Sequence, residues 1–313
     1  MFNKNKINIL INCCAIGDTI CVIPSILALL KEGRLNKILS NKKWGELFSL
    51  FDIPSEIITY MNDDSLTPFD PDGYIIVPAY PENRAPYRMH LTDFFSYNLA
   101  YATLTPNEKS IRVADEKMID NPIKSKKYVV MQGSTRLRSR TLLPTEWKKI
   151  KDHLLSRLID VVVLGDPSDG SDYDTTGCIS EFMGCNLTTS ISICKGARAV
   201  VGVDGGLIYI ASLTFTPIIA GYSFVDPDYR APYRRGVKGA NFKAIHPRGG
   251  CKFCTNSLCA YGIEFDVACP NNIDFECVRT LMADDFISAL YKTCFFHSEK
   301  ITPYRGIDQL PFN

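Results

Sequence analysis

The chain has 313 residues, enough for two domains that each bury a core of their own. Its 46% hydrophobic and 22% charged content excludes a disordered or fibrous protein. A net charge of +1 offers no broad basic field, so nucleic acid is excluded as a partner recognised by charge. No stretch approaches the roughly 18 apolar residues of a spanning helix, which leaves peripheral contact as the one mode open at a membrane. Lysines precede the apolar run 7–11, but that run is too short for a secretory signal and no small-residue cleavage site follows. The expected location is the cytoplasm.

Short β-branched runs alternate with amphipathic stretches, a pattern of βαβ units on parallel sheets. "INILINCC" reads as a first strand, "AIGD" as a glycine turn, and "TICVIPSILALLKEG" as a helix closed by Gly33. "NKILSN" is a strand, "KKWGELFSLF" a helix, "EIITY" and "GYIIVPAY" further strands, and "LTDFFSYNLAYATL" a helix. The Asp, Asn, Pro and Ser of about 105–125 suggest a hinge. The pattern then restarts. "KYVVMQG" is a strand, "STRLRSRTLLP" a polar loop and "TEWKKIKDHLLSRL" a helix. "DVVVLGD" follows as a strand, "SISICKGA" as part of a helix, "AVVGVDGG" as a strand, "LIYIASLT" as a helix and "PIIAGYS" as a strand. The expected fold is α/β, with two Rossmann-like domains, 1–122 and 123–313, facing across a cleft. A tail from about 286 to 313 is expected to pack back on the first domain. Ligands of such sheets gather beyond the carboxyl ends of the strands.

Twelve cysteines are present, and five of them crowd into residues 251–277. Cys251, Cys254, Cys259 and Cys269 are spaced C-x2-C-x4-C-x9-C, with Cys277 beyond. The close pair suits one tetrahedral ion, and four sulfurs suit zinc or iron in a closed, structural site. Reduced thiols packed as small core residues are the alternative.

The segment "AIGDTICVIPSILALLK" resembles the N-terminal signature of the heptosyltransferases of glycosyltransferase family 9. "VVMQGSTRLRSRTLLPTEWKKI" is similar to the start of that family's donor domain, and "ARAVVGVDGGLIYIASLTFTPIIAGYSFVDP" to its strand–Asp–x–Gly–helix element. The cysteine-bearing segment is similar to one found in many members. The resemblance implies a GT-B fold and inverting transfer of a sugar, typically heptose from ADP-heptose, without a cofactor for the chemistry. The acceptor it implies is a hydroxyl on a glycan, such as a lipopolysaccharide core sugar, or on a protein. Assembly into an oligomer is compatible with it.

Inverting transfer needs a base for the acceptor hydroxyl, and the family's catalytic Asp falls on Asp18 beside Gly17. An Asp ahead of Thr19 can equally serve as a helix cap. Asp204, Gly205, Gly206 and Leu207 place amides at a helix start that can cradle the donor's diphosphate, or they form only a tight turn. Family members often carry His soon after this glycine, where Tyr209 stands here. They also carry Lys before a Trp-Pro pair. Here Thr141-Leu142-Leu143 stands instead, so Arg138 or Arg140 is the expected cation, close to Gly133, Ser134 and Thr135. The pentapeptide "RAPYR" occurs at 84–88 and 230–234, so Arg84, Arg88 and Arg230, with His90, are candidates to touch the acceptor or simply surface-loop residues. The acidic stretch 166–174 reads as a solvated loop, with Asp166 or Asp169 the alternative candidate for a ribose contact. Two other readings stay open: a sugar-nucleotide epimerase or hydrolase on the same scaffold, and a non-catalytic assembly protein organised by its cysteines.

Overall fold

The computed structural model describes residues 6–12, 15–61, 73–77, 89–100, 103–125, 127–135, 137–167, 172–254, 269 and 273–295. Strand β1 (Ile7–Ile11) leads through helix α1 (Ile16–Lys31) to β2 (Leu35–Asn41), α2 (Gly45–Leu50), β3 (Ile58–Met61) and β4 (Tyr74–Val77). These strands make one parallel sheet in the order β3-β2-β1-β4. Helices α3 (Leu91–Ala100) and α4 (Pro106–Lys109) follow. Strands β5 (Tyr128–Met131), β6 (Asp160–Val163), β7 (Ala199–Val203) and β8 (Ile218–Gly221) alternate with helices α5 (Pro144–Ser156), α6 (Leu187–Gly196) and α7 (Gly206–Ser212). A small hairpin, β9 (Tyr233–Arg234) and β10 (Val237–Lys238), precedes β11 (Phe242–Ile245), α8 (Glu276–Arg279) and α9 (Ala283–Leu290). The second sheet is parallel, ordered β11-β8-β7-β5-β6.

Every residue of β5, β7 and β8 is buried, because helices cover both faces of the sheet and a continuous apolar run satisfies both. Gly33 adopts φ +65° just past the end of α1, the left-handed conformation that ends a helix cheaply only in glycine. The expected "AIGD" turn is instead the start of α1: Ala15 is extended, Ile16 is already helical, and Asp18 lies in the first turn without acting as a side-chain cap. The stretch 42–51 divides into a 3-10 turn (Lys42–Trp44) and α2, since Asn41 caps the turn by accepting from the Lys43 amide at 2.8 Å. The hinge region carries α4, closed by a capping box between Thr105 and Glu108. Strands β9 to β11 and helices α8 and α9 lie beyond the elements expected from sequence. The described part of the tail, with α9, packs on α5, β8 and β11 of the second sheet, and the rest lies outside the described residues.

The two lobes share an apolar seam. Ile191, Tyr209 and Leu213 of the second lobe join the same core cluster as Ile9, Ile23, Phe48 and Phe94 of the first. Polar pins flank it. Glu46 of α2 accepts from the amides of Leu187 and Thr188 (3.1 and 2.8 Å), placing a negative charge on the amino end of α6. Asp115 pairs with Lys195 at 2.8 Å. Among the described residues no helix is long and apolar enough to cross a membrane.

Candidate functional site

The side chains of interest come from the carboxyl ends of three adjacent strands and from the amino end of α1. Gln132 follows β5, Asp204 follows β7 and Tyr222 follows β8, all at the edge where α/β sheets hold ligands. Opposite them stands Asp18. Burial raises the Asp18 pKa above the ordinary carboxylate range, Arg140 and Arg230 pull it back, and Asp204 raises it. Two carboxylates and two guanidiniums from both lobes thus feel one another's charge. Asp18 is half-buried as a residue, whereas Asp204 and Arg230 are buried.

Arg140 Nε lies 3.7 Å from Asp204 Oδ2, and its guanidinium stacks over the Phe224 ring at 5.0 Å. Arg138 turns away. It is exposed, lies over Phe275 at 5.4 Å and sits 3.9 Å from Asp274. Of the two expected cations, only Arg140 reaches the site.

The adjacent glycines are explained by close approach. Gly205 is extended (φ −169°), which any residue adopts, but a Cβ there would stand 2.7 Å from Thr135 Cγ2. A Cβ on Gly206 would stand 2.6 Å from Ile16 Cγ2, across the seam. Gly205 and Leu207 are buried, and Gly206 is the half-exposed part of the corner. Gly17 in turn abuts the Tyr209 ring. Gly133 lies beneath Trp147 and Tyr173, where a Cβ would fall 2.6 Å from Tyr173 Cε1, so packing accounts for it. Ser134 is buried and lines a pocket past β5 and β6 with Trp147, Gly165, Asp166, Tyr173 and Met183. Thr135 folds its hydroxyl into a local turn, accepting from the Leu137 amide at 3.2 Å.

His90 corrects an expectation. Its Nδ1 accepts from the Thr92 amide (3.2 Å), so Nε2 carries the proton and donates to the Ala231 carbonyl at 2.8 Å. Both nitrogens are engaged, and burial lowers its pKa to about 4. His90 is an interlobe strut rather than an acceptor contact. Its partner belongs to the second "RAPYR", and each neighbour there is held in turn. Tyr233 meets the His90 ring edge-on at 4.8 Å and takes the Lys109 ammonium over its face at 5.0 Å. Arg234 donates to the carbonyls of Thr216 (2.8 Å) and Ala211 (3.0 Å). This bracing carries Arg230 into the charged cluster. Arg84, Arg88 and Asp169 lie outside the described residues.

Cys251 and Cys269 pack with Cys277 around Phe275 and Val278. Burial pushes the Cys277 thiol up to about 12, and the charges of Cys251, Cys254 and Cys269 push the same way, so four sulfurs crowd one place. Among the described residues no group of three or more ligating side chains is arranged to hold a metal ion. Cys259 lies outside the described residues.

Tyr222 and Gln132 were not singled out from sequence. Their one signal is position, each standing just past a strand of the ligand-binding edge.

Two parallel α/β lobes, with carboxylates and arginines converging between them, define a GT-B glycosyltransferase architecture. The chain belongs to glycosyltransferase family 9 (heptosyltransferase), whose pattern matches residues 87–245, just over half of it. TibC, an iron-containing dodecameric glycosyltransferase from enterotoxigenic E. coli H10407, is similar in structure, with TM-score 0.72 and 16% identity over 92% of this chain and 76% of that one. Its complex with ADP-D-beta-D-heptose gives TM-score 0.68 and 16% identity over 93% and 77%. E. coli heptosyltransferase WaaC with ADP gives TM-score 0.52 and 12% identity over 91% and 99%. No curated protein matches the sequence.

Proposed function

We propose that the chain transfers a sugar with inversion from a nucleotide diphosphate to a hydroxyl of a glycan or protein acceptor. ADP-heptose is the donor favoured, since similar proteins were solved with ADP-D-beta-D-heptose and with ADP. Residues 1–122 hold the acceptor and residues 123–313 the donor. The observation that carries the proposal is that Asp18, from the first lobe, lies within the electrostatic reach of Arg140 and Asp204, which stand 3.7 Å apart in the second.

Asp18 takes the proton of the acceptor hydroxyl as its oxygen attacks the anomeric carbon from the face opposite the leaving diphosphate. Its carboxylate is kept from full neutralisation by burial through the two guanidiniums beside it. Arg140 is the cation for the departing diphosphate, a charge that a dry site must stabilise. The amides at Gly206, where α7 begins, are further donors to the same phosphates. Asp204 has a different task from the rest of its loop. A carboxylate repels phosphate, so it accepts hydrogen bonds from sugar hydroxyls instead. Asp166, in the loop after β6, is the carboxylate to accept from the donor's ribose. The chemistry requires no metal. Among the described residues the thiols of Cys251, Cys254, Cys269 and Cys277 are not arranged to hold a metal ion, so no metal is assigned to them; the set that the spacing suggests includes Cys259.

The test is incubation of purified protein with ADP-heptose, with and without a heptose-bearing glycan or a hydroxyl-bearing protein as acceptor. ADP release that depends on acceptor, and an inverted anomeric configuration by NMR, are expected in the presence of a chelator. Asp18→Asn should retain ADP binding and lose transfer. Turnover to an epimer without acceptor, or full activity in Asp18→Asn, rejects the mechanism.

A further inference from the structure

The charged cluster sits on a floor of buried polar atoms without hydrogen-bond partners among the described residues. They are both carboxylate oxygens of Asp204, Arg140 Nε, Gln132 Oε1 and the hydroxyls of Tyr209 and Tyr222. Buried polar groups in folded proteins are almost always paired, and a hydroxyl left alone is destabilising where Phe would not be. Arg140 Nε and Asp204 Oδ2 pair with each other at 3.7 Å, and the other four atoms, gathered beside one sheet edge, point to a ligand.

The topology brings them together. Val203 pairs with Gly221 in the β7–β8 ladder, so Asp204 and Tyr222 are the next residues of adjacent strands, and the Asp204 amide donates to the Gly221 carbonyl at 3.0 Å. Gln132 follows β5 on the other side of β7, with its Oε1 next to Gly205. Tyr209 comes from α7, and the groups that bear on its hydroxyl are Cys21 of α1 first, then Arg230, Asp204 and Tyr222. Tyr222 is wholly buried, its ring edge-on to Phe242 at 5.9 Å, so the ring is fixed by packing while the hydroxyl is unspent.

The donor and acceptor pattern selects the ligand. Asp204 and Gln132 Oε1 accept only, Arg140 donates only, and the tyrosine hydroxyls do both. A phosphate oxygen accepts only and meets repulsion from Asp204 and Asp18. An alcohol both donates and accepts, so one hydroxyl can give its proton to Asp204 while accepting from a tyrosine. A polyol with neighbouring hydroxyls satisfies several members of the floor together. We infer that Tyr222 and Tyr209 are specificity residues whose hydroxyls, beside Asp204, recognise hydroxyl groups of the transferred sugar and not the nucleotide. This rests on the donor-binding reading above.

The experiment compares ADP with ADP-heptose, by calorimetry and thermal shift, on the wild type, Tyr222→Phe and Tyr209→Phe. Each substitution removes one oxygen and keeps the ring. The wild type should bind ADP-heptose more tightly than ADP. Either variant should bind ADP as before, bind ADP-heptose about five- to tenfold more weakly, and melt no lower than wild type without ligand, because the lost hydroxyl had no internal partner. Tyrosine variants that keep the full preference for ADP-heptose, or that melt lower without ligand while keeping it, overturn the assignment. So does a wild type that binds ADP and ADP-heptose equally. A wild type that binds neither rejects the donor reading itself, and this assignment with it.

Discussion

Gly17 of α1 and Tyr209 of α7 meet across the seam between the lobes, and a Cβ on the glycine would stand 2.6 Å from Tyr209 Cδ2 and 3.0 Å from Cε2. The contact sets how closely the carboxylate at Asp18 can approach the donor lobe. Gly17→Ala has no room unless the Tyr209 ring shifts, and that ring is buried. Overpacking of this kind costs about 1–3 kcal/mol, so the variant should melt several degrees lower. Transfer should fall further than ADP binding, because the clash bears on Asp18 and Tyr209 and not on Arg140. Tyr209→Ala combined with Gly17→Ala should cost less than the sum of the two. Strictly additive losses of melting temperature would show that the two residues do not press on each other.

Ionised Asp18 should destabilise the fold it serves. Burial raises its folded pKa above the unfolded value, so the stability it contributes is present in full below that unfolded value, near 3.8, and is lost as the pH rises through the folded one. Asp18→Asn is therefore expected to melt higher than wild type at neutral pH, with the gap closing as the pH is lowered toward 3.8. Melting curves across that range measure it. The same displacement places the acid limb of the transfer rate above the ordinary carboxylate range. Arg230→Gln, which removes a cation that favours the charged form, should move that limb to still higher pH.

Much of this site was legible along the chain. Asp18, Arg140 and Asp204 are the residues that motif and strand-end reasoning single out, and the structure brings them within one another's electrostatic reach, with Asp18 in the first turn of α1 and not in a strand-end turn. What could not be read was the sense of the contacts. The glycines at 205 and 206 advertise backbone amides, yet their side-chain faces are closed by Thr135 and Ile16, residues remote in sequence. His90 looked like a polar group awaiting a substrate until its ring met Ala231, again far along the chain. Tyr222 carried no motif, because an orphaned hydroxyl is a property of packing. Arg138 and Arg140 are two residues apart, and only the short 3-10 turn they share sends one outward and the other in.

The strut at His90 gives a second pH signature, opposite in sign to that of Asp18. Its pKa falls from 6.5 to about 4 because the neutral ring is buried, so its contribution is present above 6.5 and is lost as the pH falls through about 4. The displacement corresponds to about 3 kcal/mol. His90→Gln should be clearly less stable than wild type at pH 7 and nearly equal to it near pH 4. A deficit that stays constant over this range would mean that His90 stabilises the protein through packing alone.

The cysteine cluster separates two ligand sets that sequence alone leaves tied. The spacing nominates Cys259, while packing brings Cys277 among Cys251, Cys254 and Cys269. A thiol pushed up to about 12 is protonated at neutral pH, and only a bound metal would hold it as thiolate, so metal binding should release protons and weaken as the pH falls. Elemental analysis of purified protein tests for zinc or iron, which the described residues by themselves are not arranged to hold. If metal is found, Cys277→Ser should lose it as fully as Cys251→Ser does, with a lower melting temperature, while Cys259→Ser should retain it. Retention in Cys277→Ser with loss in Cys259→Ser would restore the ligand set that the spacing suggests. Protein free of metal under anaerobic purification would leave the sulfurs as a reduced apolar cluster. Because the cluster packs against α8, and Asp274 beside that helix meets Arg138, metal loss should loosen Arg138 before it disturbs Arg140 or the transfer reaction.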